Sequence, residues 1–72
     1  MNRYVKTDIQ RAFNYLQIVN DDLLNTAQKL QKKAEDTQPL IAYKLRNRAE
    51  KLLDAKVKIT EAIELLAEAN VI

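Results

Sequence analysis

The stretch AEDTQPLI, residues 34–41, holds the only proline of the chain and splits 72 residues into two parts of similar length. Proline is disfavoured inside a helix, where it removes a backbone donor and crowds the preceding turn. It suits a helix's first turn, where that donor has no partner anyway. Asp36 or Thr37 is a suitable N-cap just ahead of Pro39. The expected turn therefore lies at about residues 35–38, with one helix over about 3–34 and another over about 39–70. All of it forms a single domain, residues 1–72.

Upstream of the turn, Val5, Ile9, Ala12, Leu16, Val19, Leu23, Ala27, Leu30 and Ala34 recur in steps of three and four. That period, close to 3.6, belongs to a straight amphipathic helix. Phe13 and Leu24 widen the stripe. Asn20, Asp21 and Asp22 compete for backbone hydrogen bonds and could break it into two helices. The apolar period passes through them without a phase shift, which favours one helix.

Downstream, Leu45, Ala49, Leu52, Lys56, Ile59, Ile63, Leu66 and Asn70 alternate steps of four and three, a heptad seam. Ala55, Ala62 and Ala69 flank it on one side and Leu53, Thr60 and Ala67 on the other. This apolar face is wider than a two-helix contact requires, and its alanines allow close approach of another helix. The expected architecture is all-α: two long antiparallel helices, a helical hairpin, dimerising into a four-helix bundle through Leu52, Ala55, Ile59, Ala62, Ile63 and Leu66. Lys56 is the anomaly in the seam. It either meets Asn20 in a polar layer at mid-hairpin, or lies at the bundle edge with its charge reaching water.

Composition excludes much chemistry. There is no His, Cys or Gly. Imidazole bases, thiolate ligands and glycine-rich phosphate loops are all missing. Glu61, Glu64 and Glu68 lie along one helix face but point away from the seam, so they read as a solvated acidic face, as do Asp21 and Asp22. No enzyme activity, metal or cofactor is expected. The short apolar runs do not span a membrane, and MNRYVKTDIQRAF has no apolar core of a signal peptide, so a cytoplasmic location is expected.

Net charge is +2 but unevenly placed. Residues 29–51 carry Lys29, Lys32, Lys33, Lys44, Arg46, Arg48 and Lys51 against Glu35, Asp36 and Glu50, while residues 52–72 are acidic. Lys29, Lys32, Lys33, Lys44, Arg48 and Lys51 could track phosphates. A dimeric helical hairpin that binds nucleic acid would resemble ROP in architecture, without a shared sequence motif. Opposite the core stripe of the first helix runs a second row, Tyr4, Arg11, Tyr15, Ile18 and Asp22. Tyr and Arg are enriched at binding hot spots. Leu65 and Ile72 also point outward, and Leu40 and Tyr43 form a smaller patch by the turn. The leading expectation is a small non-enzymatic interaction protein, a homodimer that binds and regulates another protein through Tyr4, Arg11, Tyr15 and Ile18. The alternatives are the nucleic-acid-binding hairpin and a subunit of a larger helical hetero-complex.

Overall fold

A computed structural model describes residues 3–71 of the chain, with side chains described over residues 7–69. Two helices make up nearly all of it: α1, Arg3–Glu35, and α2, Pro39–Val71, each of 33 residues. They pack along each other as a rod 55 Å long and 14 by 11 Å across. α1 runs unbroken through Asn20, Asp21 and Asp22. The backbone cost of those three residues is outweighed by the apolar contacts α1 makes on both sides of them.

The turn is Asp36–Thr37–Gln38, and no described residue in it has positive φ. A turn of this kind needs no glycine, consistent with a chain that has none. Its capping differs from the expected one. Gln38 occupies the N-cap position, its carbonyl accepting from the Ala42 amide at 2.8 Å, with Pro39 as first helical residue. Thr37 serves the other helix: its hydroxyl donates to the Lys33 carbonyl at 2.6 Å, a second bond to a carbonyl in the last turn of α1. The Asp36 and Thr37 amides bond back to the Lys33 and Ala34 carbonyls.

The buried core is small and lies on the turn side of mid-hairpin. Ala27, Ala34, Ala42, Leu45 and Ala49 are buried, and Leu30 packs against the cluster of Ala34, Ala42 and Leu45. Four of the five are alanine, so the helices approach closely there, but each alanine removes little apolar area from water. Farther from the turn, Ile9, Phe13, Leu16, Ile59, Ile63 and Leu66 are only half-buried.

The seam of α1 differs from the expected stripe. Its inward residues are Ile9, Phe13, Leu16, Asn20, Leu23, Ala27, Leu30 and Ala34, which alternate steps of four and three like those of α2. Val19, expected inside, is 41% exposed, and Asn20 takes its place. Two helices in long contact must share one period, so the heptad of α2 selects the heptad reading of α1.

Asn20 sits in this seam, and its amide donates across the hairpin to Thr60 Oγ1 at 3.2 Å. Thr60 in turn donates to the Lys56 carbonyl at 2.9 Å. The polar residue facing Asn20 is thus Thr60, one helical turn beyond Lys56. The offset follows from side-chain direction: each Cβ leans toward its own helix's N-terminus. Asn20 leans away from the turn and Thr60 leans toward it, so they meet between their backbone levels. Lys56 is half-buried in the seam.

Candidate interaction surfaces

In an antiparallel pair, a two-fold axis perpendicular to the plane of the helices exchanges them and keeps each flank on its own face. Residues immediately preceding a seam position in either helix therefore share one face, here termed the leading face. Residues immediately following a seam position share the other, the trailing face.

The leading face changes character along its length. Far from the turn it holds Ala12, Tyr15 and Val19 from α1 with Ala55, Ala62, Leu65 and Ala69 from α2, and three charges, Asp8, Asp22 and Lys58. Tyr15 is 62% exposed and Leu65 65%. Near the turn it holds Lys29 and Lys33 from α1 and Lys44, Arg48 and Lys51 from α2, all exposed. The trailing face carries Gln10, Gln17, Gln28 and Gln31 with Asp21, Glu50 and Glu64, and one cation, Arg46. In the turn half, charge is therefore segregated between the two faces, with the cations on the leading face and Glu35 and Glu50 on the trailing one.

The placements of the expected site residues follow. Of the six basic residues, Lys29, Lys33, Lys44, Arg48 and Lys51 gather on the leading face, while Lys32 lies on the outer edge of α1. Of the protein-binding row, Tyr15 joins the apolar part of the leading face. Arg11 and Ile18 lie on the outer edge of α1, Ile18 58% exposed, and the Tyr4 side chain lies outside the described residues, as does Ile72. Of the self-association set, Leu52, Ile59, Ile63 and Leu66 line the seam, each half-buried, and Ala55 and Ala62 belong to the leading face. Tyr15 and the alanine flank, read separately on each helix, are thus parts of one surface. Leu40 and Tyr43 are exposed beside the turn, with Tyr43 on the trailing face.

Two ion pairs form among the described residues, Arg11 with Asp8 at 3.9 Å and Lys58 with Glu61 at 4.0 Å, both exposed and within one helix. Such pairs contribute little. Lys58 is the one basic residue of the leading face that takes part; Lys29, Lys33, Lys44, Arg48 and Lys51, nearer the turn, do not. Among the described residues no group of three His, Cys, Asp or Glu side chains is placed to hold a metal ion, and no helix is long and apolar enough to cross a membrane. No protein-family model, curated protein or solved structure matches the chain.

Proposed function

We propose that this chain is a non-enzymatic interaction protein that works as a homodimeric four-helix bundle and regulates another protein by covering a surface on it. The observation that carries the reading is the uncovered apolar half of the hairpin. There Tyr15, Val19 and Leu65 stand exposed beside a seam that the chain itself only half covers.

A chain of this size rarely holds itself together on one thin core. A second copy brings the same half-covered seam and the same exposed row, so two distal halves bury each other. The basic turn halves repel, which favours copies lying with their turns at opposite ends and overlapping in their distal halves. The alanine flank of α2 permits close helix approach in that arrangement. Arg11 and Ile18, on the outer edge of α1, stay accessible and form the contact for the regulated protein.

The regulatory part is tested by capture of a partner from cell extract by tagged protein, compared with an Ile18→Glu variant of unchanged helicity and solution mass. Loss of a specific band in the variant supports the edge contact. Equal capture by both removes Ile18 from it.

A further inference from the structure

We propose that the turn half of the leading face docks on the phosphate backbone of double-stranded nucleic acid. Lys29 and Lys33 on α1 and Lys44, Arg48 and Lys51 on α2 are exposed, share this face and form no ion pair. The acids nearest in sequence are placed elsewhere: Glu35 and Glu50 follow seam residues and lie on the trailing face, Asp36 lies in the turn and Asp54 on the outer edge of α2; the nearest acid on this face, Asp22, is one heptad beyond Lys29.

The geometry is two rows of cations on two straight helices, about 8–10 Å apart for packed helices. Lys44 and Lys51 are separated by two helical turns, roughly 10 Å along the axis. A rigid double row of this kind meets fixed, repeating charges better than a flexible chain. Duplex phosphates provide such a repeat, one per ~3.4 Å of each strand.

Single-stranded nucleic acid is disfavoured because its binders interleave cations with aromatic stacking platforms. The one aromatic near the turn, Tyr43, is on the opposite face. A membrane surface is disfavoured because interfacial helices carry an apolar strip along their length edged by cations. Here Tyr15, Val19 and Leu65 lie at one end of the face and five of its six cations at the other, with Ile41 the one large apolar residue among those five. The inference stands on a single hairpin and does not require the dimer, although a dimer joined at its distal halves leaves both basic halves free.

The test is fluorescence anisotropy of the full chain with labelled duplex DNA and duplex RNA of about 20 base pairs, with single-stranded DNA of equal length, and cosedimentation with phosphatidylserine vesicles. For five contacts, the logarithm of affinity for duplex should fall against the logarithm of salt with a slope of about −4 to −5. Lys44→Gln with Lys51→Gln should weaken duplex binding at least tenfold and reduce the slope by about 2. Lys32→Gln with Arg46→Gln removes the same charge away from this face and should change affinity less than threefold. Circular dichroism of both double variants establishes that each remains helical. No duplex binding at about 50 mM salt overturns the proposal. So does equal loss in the two double variants, or tighter binding to single strands or vesicles.

Discussion

Asn20 on α1 donates its amide to Thr60 Oγ1 on α2 at 3.2 Å, the one hydrogen bond between side chains of the two helices among the described residues. Thr60 both accepts from Asn20 and donates to the Lys56 carbonyl, so its one hydroxyl proton is used. Asn20 is less well served: its Oδ1 is buried without a partner. This polar contact favours one alignment of the helices, because a slip takes Thr60 away from the Asn20 amide.

Replacing Asn20 with Leu should therefore stabilise the hairpin. The orphaned acceptor costs about 1–3 kcal/mol, and its removal should raise the melting temperature by several degrees. Thr60→Val should do the reverse by about 1–2 kcal/mol, since it strands the Asn20 amide as well. Thermal melts followed by circular dichroism read both. A destabilised Asn20→Leu would show that Oδ1 has a partner worth keeping.

The buried alanines and the flank alanines should respond differently to size. Ala49 is fully buried, and Ala49→Leu should push the helices apart at a cost of about 1–3 kcal/mol in urea unfolding. Ala67 is exposed on the trailing face, away from the proposed self-association surface, and Ala67→Leu should change stability by less than about 0.5 kcal/mol. Equal destabilisation by the two would contradict the seam described here.

Thr37→Ala should remove the hydroxyl that closes α1 and destabilise by roughly 1 kcal/mol. Asp36→Ala, at the other residue expected as N-cap, should cost less, because no side-chain hydrogen bond of Asp36 holds the turn. Urea denaturation of the two variants side by side gives the comparison, and a larger loss for Asp36→Ala would restore it as the capping residue.

The two helices and the turn were legible in the sequence because one proline and two long apolar periods leave few alternatives. The caps were less so. Pro39 marked the start of α2, but Asp36, Thr37 and Gln38 compete locally, and only the backbone path assigns Gln38 to α2 and Thr37 to α1. The α1 stripe places Val19 inside where the structure exposes it, and Asn20, expected to face inward, meets Thr60 rather than Lys56, for a physical reason. Hydrophobicity alone ranks Val above Asn, and the penalty for burying Asn20 is partly offset by Thr60, forty residues away. A strict heptad period for α1, matching α2, puts Phe13 and Asn20 in the seam and Val19 on its flank. The basic and apolar rows were visible on each helix separately. Their union on one face was not, because it depends on which flanks an antiparallel pair brings together.

The proposed self-association is tested most directly by solution mass, from light scattering coupled to size exclusion, on the purified chain and a Val19→Ser, Leu65→Ser variant. The account predicts a mass near twice 8.3 kDa for the chain and a return toward 8.3 kDa for the variant. A folded chain that stays at 8.3 kDa across micromolar concentrations would contradict it and leave the apolar half to a different protein.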